Sequence, residues 1–217
     1  APKSDEWGEA PKPAPDSLKS ILLGGAFLAL LATLFMQQFT NTFLGPIFPL
    51  FVESWATDPG PHNTLCGSLM AITSLTAALL SVPVGSISDR LGPKRILTIG
   101  MVLGGVSIFL HPLAPSIAVL YGLLILQGIA AGCIGPTMGG IISRSVPRAS
   151  QGKAYGMVQS ANSLGFAIGP AVGSLLAMGF GLDMPFYATG VLRFVVAGMV
   201  LKLIVDAPAK AKEPEPD

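Results

Sequence analysis

The chain is short of charge. Only 12% of its 217 residues are Asp, Glu, Lys or Arg, whereas 51% are hydrophobic, and the mean hydropathy is +0.64. A water-soluble domain carries roughly 25% charged residues, so an ordinary soluble globular protein is excluded. Cysteine is scarce too. Cys66 and Cys133 lie in apolar stretches without metal-ligand spacing, which makes them small core residues rather than part of a metal or disulfide framework. The two histidines, His62 and His111, fall near the ends of apolar segments, where solvated positions at the outer rim are expected. The sequence contains no nucleophile–His–acid arrangement, phosphate-binding loop or metal cluster, so neither an enzyme nor a cofactor is indicated. Its thirteen bases and twelve acids nearly balance, and the bases form no stripe, which argues against a nucleic-acid partner.

What the chain does have is long apolar runs. Six of them, residues 20–44, 64–86, 96–113, 116–142, 154–180 and 184–205, approach the ~20 residues that a helix needs to cross the hydrocarbon of a bilayer. The fold class is therefore all-α: a polytopic membrane protein with a six-helix transmembrane domain over residues 20–205, surrounded by lipid. Pro-rich, charged tails over residues 1–19 and 206–217 are predicted to be flexible. Short connections favour antiparallel neighbours in one bundle. With both termini cytoplasmic, Lys3, Lys12, Lys19, Arg90, Lys94, Arg95, Arg144, Arg148, Lys153, Lys202, Lys210 and Lys212 all fall on the cytoplasmic side. The opposite loops, near residues 52–63, 111–116 and 180–184, hold no Lys or Arg. Trp55, Tyr121 and Tyr187 then mark the outer interface and Tyr155 the inner one. Arg193 alone breaks the pattern.

Between the second and third runs the chain reads GSISDRLGPKR, residues 85–95. Gly85 suits a close helix approach, Gly92 a left-handed turn, and Pro93 the first turn of a new helix. Asp89 stands at the C-terminal pole of its own helix, where the macrodipole opposes a negative charge. A carboxylate there is better accommodated beside a base or another helix's N-terminus. The stretch resembles the loop signature of the Major Facilitator Superfamily, with Gly85, Asp89, Arg90, Gly92, Lys94 and Arg95 filling its positions in order. The resemblance implies a cytoplasmic latch whose Asp engages a helix end in an opposite half.

Two further stretches resemble the same family. In LQGIAAGCIGP, Gln127, Gly128, Ala130 and Ala131 match a fourth-helix motif, although Leu124 stands where that motif has Arg. NSLGFAIGPAVGS is similar to the glycine–proline motif of the antiporter branch through Gly165, Gly169, Pro170 and Gly173, with Ser174 in place of a further Gly. Pro170 removes a helix hydrogen bond, and the glycines let a neighbouring backbone come close. The family is expected to have twelve helices in two six-helix halves. One half is represented here, most like the C-terminal half of a drug-efflux-type member.

Polar side chains within the runs should face other helices or a wet cavity rather than lipid. Gln37, Gln38, Thr40, Asn41 and Thr42 cluster in the first run, ahead of Gly45-Pro46; Gln127 lies in the fourth, and Gln159 and Asn162 in the fifth. Because the first and fourth helices line the central pathway of the resembled fold, Gln38, Asn41, Gln127 and Asn162 are the candidate substrate pathway. Arg193 follows Met184 by nine residues, ~13 Å down a helix and close to mid-bilayer. The sixth helix is peripheral in the resembled fold and no acid is placed to pair with Arg193, so a contact with a partner subunit or lipid is expected.

With no acid assigned to a span interior, the pathway leans towards small neutral or amphipathic solutes. Two functions follow. The chain is half of a secondary-active transporter that needs a second six-helix chain, or its own copy, for alternating access. Alternatively it is a non-transporting, transporter-derived subunit of a larger membrane complex.

Overall fold

The computed structural model describes residues 25–55, 62–145 and 151–203, and the regular structure in them is entirely helical. Both predicted tails, with Lys3, Lys12, Lys19, Lys210 and Lys212, lie outside the described residues, as does Arg148. Helices α1 (Gly25–Phe43) and α2 (Ile47–Trp55) are followed by α3 (His62–Leu91), α4 (Pro93–Leu110), a 3-10 turn (His111–Leu113), α5 (Ile117–Ser145), α6 (Gln151–Phe180) and α7 (Met184–Leu203). Helix is the solution that satisfies every backbone N–H and C=O within its own segment, as an apolar solvent requires. Pro83, Pro136 and Pro170 are accommodated inside α3, α5 and α6.

Five helical segments, residues 64–88, 93–113, 117–142, 151–180 and 184–202, are long and apolar enough to cross a membrane. The first expected run differs from these. Its described part, α1, is 19 residues long and carries Gln37, Gln38, Thr40, Asn41 and Thr42 in its second half. The chain then breaks at Leu44-Gly45-Pro46, where Gly45 N–H donates to Thr42 O at 3.1 Å and Phe48 N–H to Leu44 O at 2.9 Å, before α2 resumes. Pro46 has no N–H to continue the ladder, which is the physical cause of the break.

The stretch 85–95 is hardly a loop. α3 runs through Leu91 and α4 starts at Pro93, so Gly92 alone separates them. Gly92 has φ +93°, outside the range that L side chains readily adopt, and its N–H donates to Ser88 O at 3.1 Å. Gly85 does not play the expected part in close packing: a Cβ there would lie 3.9 Å from Pro136 Cβ, an ordinary contact. Arg90 and Arg95 are exposed and Lys94 is half-buried; the side chains of Asp89 and Arg144 lie outside the described residues.

Close approach occurs elsewhere. On α6, Gly165, Gly169 and Gly173 face α1 so tightly that a Cβ at Gly165 would sit 2.8 Å from Phe35 O and one at Gly169 2.9 Å from Phe39 O. Thr42 Oγ1 bridges the same seam to Gly165 O at 3.3 Å. On α5, Gly128 would meet Thr73 O of α3 at 2.6 Å, and α4 meets α5 through Gly100 and α7 through Gly104 and Gly105. Small residues thus set which backbones touch, as in other membrane bundles.

Two apolar layers result. At the base-rich end Phe27, Leu30 and Leu34 pack with Leu97, Met101, Ile134, Met138 and Val200. At the other end Ile47, Phe48 and Phe51 of α2 pack with Leu69, Ile108, Leu120, Leu124 and Phe186. Helices α3 and α6 contribute least to either layer, with 6% and 17% of their spans buried against 50% for α4.

A bulkier residue on the α1–α6 seam should open it. Gly169→Val is expected to cost about 1–3 kcal/mol and to lower the thermal midpoint of the purified protein in detergent, read by size-exclusion after heating. Gly179→Ala, where a Cβ meets no atom within 4 Å, should leave the profile unchanged.

Candidate functional site

Between the two apolar layers lies a polar one, assembled from four helices. Arg193 of α7, expected to contact lipid or a partner subunit, is only 2% exposed within this chain, and its side chain points into the bundle. Its Nη2 donates to Asn41 Oδ1 on α1 at 2.6 Å. Gln127 on α5 completes the group. With its amide oxygen turned to the guanidinium, Oε1 accepts from Nη1 and Nη2, each at 3.2 Å, while Nε2 donates to Gly104 O on α4 at 3.2 Å. The opposite orientation would set an NH2 against guanidinium donors, so the network fixes the choice. Gln37 Nε2 also donates to Asn41 Oδ1, at 3.4 Å.

The room for this group comes from α4. A Cβ on Gly104 would collide with Arg193 Nη1, and one on Gly105 would lie 3.3 Å from Arg193 Cβ. Gly190 on α7 answers from the other side, where a Cβ would sit 2.8 Å from Phe109 Cβ. The glycine pair 104–105 and Gly190 therefore bring α4 and α7 together at the height where the guanidinium turns inward.

Two cavities meet at Arg193 and Asn41. The first, of about 230 Å³, lies towards the base-rich end and is lined by Leu34, Gln37, Gln38, Ile134, Met138 and Asn162 among others. The second, of about 330 Å³, lies towards the opposite end, between Leu44, Phe48, Ile108, Leu124, Gln127 and Phe186. Among the described residues, only Asn41 and Arg193 border both. A polar groove lined by Gln38, Gln159, Asn162, Ser163 and Phe166 adjoins the first.

The four predicted pathway residues thus divide. Asn41 and Gln127 bind the guanidinium; Gln38 and Asn162 line the first cavity without a hydrogen bond to it. Gly165, Gly169 and Gly173 lie behind this layer on the α1–α6 seam.

His111 was expected at a solvated rim; it is buried, at 2% exposure. Its Nδ1 donates to Ser107 O at 2.6 Å, its ring stacks on Phe186 with centroids 5.9 Å apart, and it borders the second cavity. Its backbone continues the helical geometry of α4 into the 3-10 turn, which keeps the ring on the buried face of that helix. Ser107 Oγ in turn donates to Leu123 O at 2.6 Å, tying α4 to α5. Of the expected interface aromatics, Tyr155 is 43% exposed and Tyr187 packs edge-on against Phe109 at 5.0 Å, while the side chains of Trp55 and His62 lie outside the described residues.

A helical bundle with polar midplane cavities and apolar outer faces is the architecture of a multi-pass membrane carrier. The chain belongs to the Major Facilitator Superfamily, whose family model matches residues 22–217. It is an integral membrane protein of a transporter family, not of an enzyme family. It is 29% identical over 183 residues to an uncharacterised transporter of this superfamily from Methanocaldococcus jannaschii, covering 83% of this chain and 46% of that protein. It is also 30% identical over 161 residues to the quinolone resistance protein NorA of Staphylococcus aureus, covering 74% of this chain and 40% of NorA. The chain thus spans less than half the length of these relatives.

Accessibility separates the residues that border the cavities from those that only pack. In a background without Cys66 and Cys133, Asn41→Cys and Asn162→Cys should react with a membrane-impermeant methanethiosulfonate reagent. Ser107→Cys, at 0% exposure, should stay unlabelled until the protein is denatured.

Proposed function

We propose that this chain forms one half of an efflux-type secondary transporter and moves small amphipathic solutes by alternating access together with a second six-helix half. The single observation that carries the reading is the meeting of two cavities, one towards each end of the bundle, at Asn41 and Arg193. A carrier of this class needs a binding layer at the midplane that can be reached from either side in turn, with the two halves rocking about it. Here the group Asn41–Gln127–Arg193 is that layer and separates the two approaches.

The second half covers what this chain leaves open. Leu75, Leu79 and Val82 on α3 and Phe166, Leu175 and Met178 on α6 are between 56% and 84% exposed. On this reading part of that surface packs against the opposite half, and the latch stretch Gly85–Arg95, with Asp89 at the pole of α3, engages a helix end there. The lengths of the relatives support a partner of similar size: each is more than twice the matched segment.

The test is flux. Proteoliposomes holding this chain with its second half should move a fluorescent amphipathic dye, and neither half alone should do so. Gln127→Leu should lower the rate about tenfold, the loss of roughly 1.4 kcal/mol of binding in the transition state, without reducing the amount inserted. Absence of flux for every dye tried, with stable co-purification of this chain among other membrane subunits, would replace the proposal with that of a non-transporting structural subunit.

A further inference from the structure

We infer that the solute held by this chain carries a carboxylate, which Arg193 receives where the two cavities meet. The inference deepens the transport function proposed above and rests on it for the idea of a solute. Its physical basis is an uncompensated charge. The Arg193 guanidinium is withdrawn from water at 2% exposure, and its neighbours Asn41, Gln127 and Gly104 are all neutral. Among the described residues, neither cavity is bordered by an Asp or Glu. Neutral amides orient a guanidinium but do not neutralise it, and a buried cation without a counter-charge is strongly disfavoured in an apolar surrounding.

The donor inventory points the same way. A guanidinium has five N–H donors in a rigid fork that matches a carboxylate. Asn41 and Gln127 engage the two terminal nitrogens, while Nε is buried without a partner. Arg193 itself borders both cavities, so an anion in either one approaches a guanidinium whose donors are not all committed.

The second cavity supplies the remainder of the recognition. His111 borders it with Nδ1 donating to Ser107 O, and an imidazole, neutral or cationic, offers the guanidinium no counter-charge. Leu44, Phe48, Ile108 and Phe186 form apolar walls, and about 330 Å³ is the room an aromatic or short aliphatic acid needs. The charge also selects by repulsion, because a cationic amphiphile of the same shape would face Arg193 with no acid to offset it. The sequence pattern leaned towards neutral or amphipathic solutes because it left the pathway without a charge; the fold places Arg193 in it, which favours amphipathic solutes that are anionic.

The test uses the complete transporter that contains this chain, in detergent, and equilibrium dialysis of labelled benzoate, 2-naphthoate and 4-phenylbutyrate, each beside its primary amide. At least one acid should bind about tenfold more tightly than its amide, as expected of a charge-assisted bidentate contact. Arg193→Gln should abolish that preference and Arg193→Lys should keep part of it. Should Arg193→Gln fail to fold, Asn41→Asp serves instead: it places a carboxylate beside Nη2, neutralises the guanidinium from within, and should abolish the preference too.

No preference for any acid over its amide would overturn the inference and assign the counter-charge to an acidic side chain of the opposite half. A preference that survives in Arg193→Gln or Asn41→Asp would overturn it as well. Binding is read without flux, so the two proposals fail separately. Acid binding without transport leaves this inference standing, whereas dye flux without acid preference leaves only the transport reading.

Discussion

A guanidinium held in the middle of an apolar bundle by two neutral amides is the constraint around which the rest of this structure is arranged. Arg193 cannot be surrendered to lipid, because a charge at that depth must find polar partners or water. It therefore turns inward, and three other helices supply what it needs: Asn41 from α1, Gln127 from α5, and the space left by Gly104 on α4. Apolar layers lie on either side, one around Leu97 and Met101 and one around Phe51 and Phe186.

The helices can deliver those side chains only because their backbones come unusually close. With lipid outside and apolar residues inside, burying more hydrocarbon does little to bring one helix towards another, so contact between backbones and shared hydrogen bonds take that role. Gly165, Gly169 and Gly173 press α6 against the back of α1, while Gly128 and Gly100 lock α5 to α3 and α4. The polar face of α1 is left free to present Gln37, Gln38 and Asn41 to the cavities. The break at Leu44-Gly45-Pro46 falls beside the second cavity, where interrupted helices are commonly found in carriers.

Much of this was legible in the linear pattern. Hydropathy located the helices, because in lipid an apolar run of sufficient length has little choice but to be one. The glycine–proline stretch of α6 and the polar cluster of α1 were readable for the same reason: small and polar residues are conspicuous against an apolar background. The direction in which Arg193 points was not readable. Its depth along α7 could be counted, but the face it occupies depends on how α7 rotates against α4, and the signal for that was the pair Gly104-Gly105 opposite Gly190. Taken together with Arg193, those three glycines mark a crossing at the level of the charge.

His111 was missed because it continues the helical geometry of α4, so its ring stays on the buried face that carries Ser107 and Ile108. Leu124 is instructive in the opposite sense. The resembled fourth-helix motif has an Arg there, and here Leu124 borders the same cavity as Arg193 of α7.

Gly92 has one more consequence. A single residue between α3 and α4 holds the Cα atoms of Leu91 and Pro93 within about 7 Å of each other, so the two helices have almost no slack where they join. Any tilt of α3 at that end would be handed directly to the foot of α4, and α4 carries the glycine pair that makes room for Arg193. The junction makes a lever of the least-enclosed helix, with its short arm ending at the charge.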